Sequence, residues 1–177
     1  MDKQTFHLTS QPIVQTTPAE ALEHLYGVLN TMQDAVITLS LPDRRLIFVS
    51  ASFEKVFGHP IEQFVSDKDF FKKIIPPEDL DFILQKQAEC LRVGFVELDH
   101  RIIMPNGDIR WLHRRAWVNY DDQGNPVRIN DSARDITEYR KSKEELTQRE
   151  ANLWTLFNTV NDFLYVLDMQ GNFKMVN

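Results

Sequence analysis

Two hydrophobic periods alternate along the chain, and each switch marks an element. Leu22, Leu25, Tyr26, Leu29 and Met32 recur at helical spacing and predict an amphipathic helix that buries this stripe. Its start is written in Thr17-Pro18-Ala19-Glu20: an N-cap, a proline at the first helical position and a capping glutamate. The helix is expected over 17–33, after a loose polar tail over 1–16. The period then shortens to that of strands, Ala35 to Leu39 and Arg45 to Ser50, joined by Ser40-Leu41-Pro42-Asp43. Short helical turns are expected across Ala51 to Asp81, broken at Gly58-His59-Pro60 and Pro76-Pro77. A longer helix fits Glu78 to Arg92, with Leu80, Ile83, Leu84, Gln87 and Leu91 at helical spacing.

Three extended runs follow. Phe95 to Met104 and Ile109 to Tyr120 flank Pro105-Asn106-Gly107-Asp108, an Asn-Gly hairpin turn. Val127 to Arg134 is the last. Two strands, several helices and three strands, in that order, imply an α+β domain over 34–136: a five-stranded antiparallel sheet with short helices on one face.

From Thr137 to Val160 there is neither Gly nor Pro, and Glu, Lys, Arg, Gln and Leu dominate. One long charged helix is expected over 137–160, with Asp135 and Glu138 at capping-box spacing. Leu146, Leu153 and Val160 recur every seven residues, with Tyr139 one heptad earlier. The helix packs on its own domain or forms a seam with a second copy, which Leu22, Leu25 and Leu29 of the first helix could join. An internal repeat extends this picture. Leu25 to Asp34 aligns with Leu153 to Asp162, 128 positions on, and with one gap Leu46 to Ser50 aligns with Phe173 to Asn177. Residues 161–177 therefore read as the truncated start of a second domain. Its strands, Phe163 to Leu167 and Phe173 to Val176, are expected to be disordered or paired with another chain.

Composition narrows the function. The 177 residues are 42% hydrophobic and 26% charged, an ordinary soluble globular balance. A net charge of −6 argues against a general nucleic-acid surface. A single cysteine, Cys90, excludes an intrachain disulfide and any multi-cysteine metal site. No run approaches the roughly 18 apolar residues that span a membrane, and no signal peptide is visible, so a cytoplasmic location is expected, with a membrane-anchored parent still open. No nucleophile–His–carboxylate spacing or phosphate-binding glycine loop occurs, so no enzyme is expected in this fragment. Glu78, Asp79 and Asp81 read as solvated helix-start charges, and Arg114 and Arg115 as sheet-surface charges rather than an anion site. His100 and His113 read as structural or solvated strand residues.

The motifs together resemble one family. Phe48-Val49-Ser50-Ala51-Ser52-Phe53-Glu54-Lys55-Val56-Phe57-Gly58 resembles the "Y-x-N/S-x-x-F-x-x-x-x-G" opening of a PAS domain's helices. Asp99-His100-Arg101, Asn106-Gly107 and Arg110-Trp111 resemble its hairpin, and Gly124 to Thr137 resembles the "G-x-P … D-I-T" ending of its PAC segment. Ser50 stands at the common asparagine, and Asp131 where many members have glycine. The resemblance implies a sensory and dimerisation module, flanked by its two helices, in a signalling protein such as a histidine kinase of a two-component system or a diguanylate cyclase. It further implies a homodimer and a downstream output domain in the parent chain, with two alternatives for the domain itself: a module that senses a small-molecule ligand, or a ligand-free scaffold that serves dimerisation and spacing between signalling modules. Asp135, Ile136 and Thr137 would form the signal junction into the coiled-coil-like helix. Phe53, Phe57, Phe71, Leu84, Trp111 and Trp117 mark where a pocket would lie, if the aromatic set is not simply filled core. The cofactor is unknown. Flavin photochemistry is not expected, because Asp67 to Ile75 lacks the cysteine of the light-sensing subgroup, and haem is not expected, because Glu78 to Arg92 has no histidine.

Overall fold

The structure is a computed structural model that describes residues 17–159 and 165–176. Helix α1 (Pro18–Thr31) opens it, with the capping box in place: Thr17 N–H donates to Glu20 Oε2 at 2.8 Å, and Glu20 N–H to Thr17 Oγ1 at 3.3 Å. Its apolar stripe is not buried as expected. Leu22, Leu25, Tyr26 and Met32 are all more than 40% exposed, because the helix stands off the sheet and touches it through Tyr26, 5.8 Å from the Phe48 ring.

Strands β1 (Ala35–Ser40) and β2 (Leu46–Val49) lead into three short helices, α2 (Ser52–Phe57), α3 (Ile61–Ser66) and α4 (Phe70–Ile74). Gly58 ends α2 at φ 72, and a Cβ there would lie 2.2 Å from the Met104 methyl, so the turn needs glycine twice over. Helix α5 (Pro77–Val93) follows, then β3 (Phe95–Ile103), β4 (Ile109–Tyr120) and β5 (Pro126–Asp135). The antiparallel sheet runs β2-β1-β5-β4-β3. Helices α2 to α5 cover one face. Helix α6 (Thr137–Thr159) leaves from the end of β5.

Two apolar clusters fill the space under the helices. One gathers Phe53, Phe57, Phe70, Ile102 and Leu112; the other gathers Ile83, Cys90, Leu98, Ala116 and Ile129. Strand alternation decides who enters them. In β4, Leu112, Ala116 and Val118 point under the helices, so Trp111, His113, Arg115 and Trp117 point away.

Strands β6 (Tyr165–Leu167) and β7 (Phe173–Val176) form a separate antiparallel pair. They pair with each other, and a turn held by Asp168 closes them locally: Asn172 N–H and Gln170 N–H both donate to Asp168 Oδ1 at 2.9 Å. Val160, Phe163, the 1–16 tail and residues 161–164 lie outside the described residues.

Candidate functional site

A cavity of about 60 Å³ lies where the two apolar clusters meet. Ile37 and Phe57 bound it from the first cluster, Ile75 and Ile83 from the second. Its polar wall comes from the sheet. His100 of β3, Arg114 of β4 and Asp131 of β5 line it, and Gln87 of α5 faces them. The register explains the gathering. Arg114 lies across from Leu98 and Ala133, so His100 and Asp131 are its diagonal neighbours on the same face.

Arg114 Nε donates to Asp131 Oδ2 at 2.6 Å, and Arg114 Nη2 donates to the same oxygen. Their side chains are 18% and 15% exposed. Burial disfavours the guanidinium charge, and the Asp131 carboxylate overrides that, raising the arginine's already high pKa. His100 is 8% exposed. Burial, then the Arg114 charge, holds its imidazole below the usual histidine range. Its Nδ1 lies 3.2 Å from the Arg101 carbonyl, which requires the proton on Nδ1 and leaves Nε2 of the neutral ring as an acceptor.

This wall corrects the expectation of surface charge for Arg114, and of the two readings of His100, structural or solvated, it leaves the structural one, since the ring is buried. Asp131, expected only as a departure from glycine, is the counter-ion. Arg115 does reach the outer surface, donating to Glu97 Oε1 at 3.0 Å. Of the expected pocket residues, Phe57, Phe71 and Leu84 line the cavity. Phe53 does not; it is fully buried one layer deeper, stacked on Phe57 at 4.6 Å. Trp111 and Trp117 lie on the opposite face of the sheet, because their odd register in β4 turns them from the helices; Trp117 is 39% exposed.

Trp111 belongs to the second feature, the junction of β5 and α6. Asp135 Oδ1 accepts from Thr137 N–H at 2.9 Å and caps the helix, while Glu138 pairs with Lys141 rather than closing a capping box. Ile136 N–H donates to the Trp111 carbonyl at 2.9 Å, and Trp111 N–H donates to Thr137 Oγ1 at 3.0 Å. The Arg140 guanidinium covers the Trp111 ring at 3.8 Å. Arg110 ties the junction to the helical layer. Its Nη1 donates to the carbonyls of Lys55 and Val56 at 2.6 Å each, and its Nε lies 3.1 Å from Asp135 Oδ2. Thus Phe57 at the cavity and Asp135 at the junction are connected through one arginine.

Asp79 is not a solvated charge: Arg101 Nε and Nη2 reach its two oxygens at 2.7 Å each, and this hydrogen bonding lowers its carboxyl pKa. Seam residues Leu146 and Leu153 are 59% and 66% exposed, and Leu22 and Leu25 also face outward. Leu29 is half-buried. Among the described residues no helix is long and apolar enough to cross a membrane.

The sequence matches the family model described as PAS fold over residues 46–133. A 101-residue stretch is 27% identical to the methyl sulfide methyltransferase-associated sensor of Methanosarcina acetivorans, covering 56% of this chain and 10% of that protein. The chain thus spans a tenth of the length of the curated relative it matches. Among solved structures, a PAS domain from Colwellia psychrerythraea is similar at TM-score 0.56 and 19% identity, covering 67% of this chain and 98% of that one. The N-terminal domain of a diguanylate cyclase with PAS/PAC sensor from Marinobacter aquaeolei gives 0.55 and 17%, covering 60% and 98%. A sensory box histidine kinase/response regulator from Burkholderia thailandensis gives 0.55 and 16%, covering 76% and 98%. Sheet order, helical cap and family match agree: residues 46–133 are a PAS domain, and through them the chain belongs to the PAS-fold family.

Proposed function

We propose that this PAS domain is the sensory module of a multidomain signalling protein, of the histidine kinase or diguanylate cyclase kind, and is itself non-catalytic. The observation that carries the reading is the cavity between the two apolar clusters with a buried ion pair in its wall. A plain filled core has no use for Arg114 and Asp131, since removing a buried pair in favour of apolar residues is commonly neutral or stabilising. A small molecule seated there shifts Phe57 and α2, Arg110 carries the shift to Asp135, and α6 leaves the sheet differently. The ligand acts only by its differential affinity for the two arrangements. The exposed Leu146 and Leu153 then pair along a parallel seam in a homodimer, and residues from about 153 open a second domain of the same kind.

Ligand-observed NMR with a panel of small metabolites tests the sensing reading on the whole chain. Binding to the wild type that a cavity-filling Gln87→Phe variant loses is the expected result. A panel with no binder that this variant loses would sink it. Sedimentation tests the seam: Leu153→Glu is expected to convert a dimer to a monomer, and an intact mutant dimer removes α6 from the interface.

A further inference from the structure

The sensing reading leaves the ligand unnamed, and the cavity's own chemistry narrows it; this inference rests on that reading. Three properties of the wall decide the class.

The first is size. A water needs at least about 10–15 Å³ of such space, so 60 Å³ holds at most about four to six waters. Ordinary drug-sized pockets are several-fold larger, at about 300–1,000 Å³. A ligand of about that many non-hydrogen atoms fits, and at the ceiling of binding per atom it reaches micromolar affinity at best.

The second is charge. Arg114 and Asp131 neutralise each other, and His100 is held neutral. Lys72 at the rim is exposed and paired with Asp69 at 2.6 Å. No charge in the wall is left over. A carboxylate or an ammonium would be desolvated without a counter-ion unless it broke the pair, and breaking a buried pair is costly.

The third is hydrogen-bond valence. Both Arg114 bonds go to Asp131 Oδ2. Among the described residues, Arg114 Nη1, Asp131 Oδ1, His100 Nε2 and both ends of the Gln87 amide have no hydrogen-bond partner within the chain. Arg114 Nη1 can only donate. Asp131 Oδ1 and His100 Nε2 can only accept. Ile37, Phe57 and Ile83 close the other side with hydrocarbon. A molecule that satisfies this wall donates and accepts at one end and is apolar at the other.

We propose that the cavity binds a small uncharged amide-like molecule with an apolar end, whose carbonyl oxygen accepts from Arg114 and whose N–H groups donate to Asp131 and His100.

The test is methyl and Arg side-chain NMR titration of the whole chain with five probes that share one planar Y-shaped skeleton: acetamide, acetone, acetate, acetamidinium and isobutene. Acetamide is expected to shift Ile37, Ile83 and Arg114 Nε resonances saturably, with affinity at least about tenfold above the other four. Acetate or acetamidinium binding as well as acetamide would overturn the charge argument, and acetone binding as well would overturn the need for a donor. Isobutene alone binding would overturn the ligand class while leaving the cavity open and the sensing reading standing. No probe binding would overturn both. Gln87→Leu is expected to weaken acetamide about tenfold and leave isobutene unchanged. Arg114→Met combined with Asp131→Leu removes the pair without leaving either charge buried, and is expected to abolish acetamide binding and keep isobutene binding. Retained acetamide binding there would overturn the assignment.

Discussion

Strand β1 pairs with β2 as Ile37↔Val49, Thr38↔Phe48 and Leu39↔Leu46, slipping register between Thr38 and Leu39. Strand β6 pairs with β7 as Tyr165↔Val176, Val166↔Met175 and Leu167↔Phe173, slipping between Val166 and Leu167. Position for position, along the sequence repeat, the two hairpins carry the same ladder and the same irregularity. Their surroundings differ completely. Strand β1 also pairs with β5 from Ala35↔Ala133 to Ser40↔Arg128, and side chains of α2 and α4 pack with it in one apolar cluster, so Ile37 is 3% exposed. Its counterpart Tyr165 is 53% exposed and meets Phe173 ring to ring at 5.6 Å. Register is therefore local, set by the turn and the alternation of side chains. Stability is not: a two-stranded hairpin alone is marginal, and only a third strand and a buried face make it durable.

The comparison can be broken most forcefully at the ion pair. Arg114→Leu strands Asp131 in the cavity wall and is expected to cost about 3–5 kcal/mol, read by urea unfolding. Amide exchange in β1 should accelerate with it while exchange in β6 does not change. Equal acceleration in both would mean that the second hairpin leans on the first domain. Next come matched truncations. Ile37→Ala is expected to cost about 2–5 kcal/mol. Tyr165→Ala should stay within about 0.5 kcal/mol. A loss near 2 kcal/mol at Tyr165 would reveal that something covers this hairpin in solution.

Smaller effects separate the two ends of the helix between the hairpins. Trp111→Ala removes the Arg140 contact, worth about 1 kcal/mol, and should raise exchange around Tyr139 while leaving Leu153 to Asn158 as before. The smallest is a pH dependence confined to the first domain. The folded His100 binds its proton less readily than the unfolded one, so stability is full above about pH 6.5 and falls as pH drops from there towards the depressed folded value. His100→Leu should flatten that slope in urea titrations between pH 7 and 5. Asp79 acts lower: its contribution stands above about pH 4 and is lost as pH falls through its lowered pKa.

Much of the fold was legible because period and punctuation agree. The Asn-Gly turn, the Thr17 box and the glycine-free run after Asp135 each mark an element the structure contains. The cavity wall was harder for a physical reason. Trp111 and Trp117 are the most hydrophobic-looking residues of β4, which draws the eye to the odd face. Yet Leu112, Ala116 and Val118 fix the even face as the inner one, and Arg114 shares their parity. The same rule places His100 with Leu98 and Ile102, and Asp131 with Ile129 and Ala133. What parity could not give was α1. Its stripe is a genuine amphipathic pattern, but a pattern says that a face wants cover, not what covers it.

The uninterrupted helix α6 also acts as an angular gauge. Its 23 residues span about 35 Å, and each residue advances the axis by about 1.5 Å and turns it by about 100°. Its near end is clamped by Trp111 and Asp135, so the face that the far end of the helix presents is encoded as a residue count. One residue inserted into the helix swings that face about a quarter turn, whereas seven nearly restore it. Length here is a dial setting, and homologous chains with insertions in whole heptads would keep the same bearing.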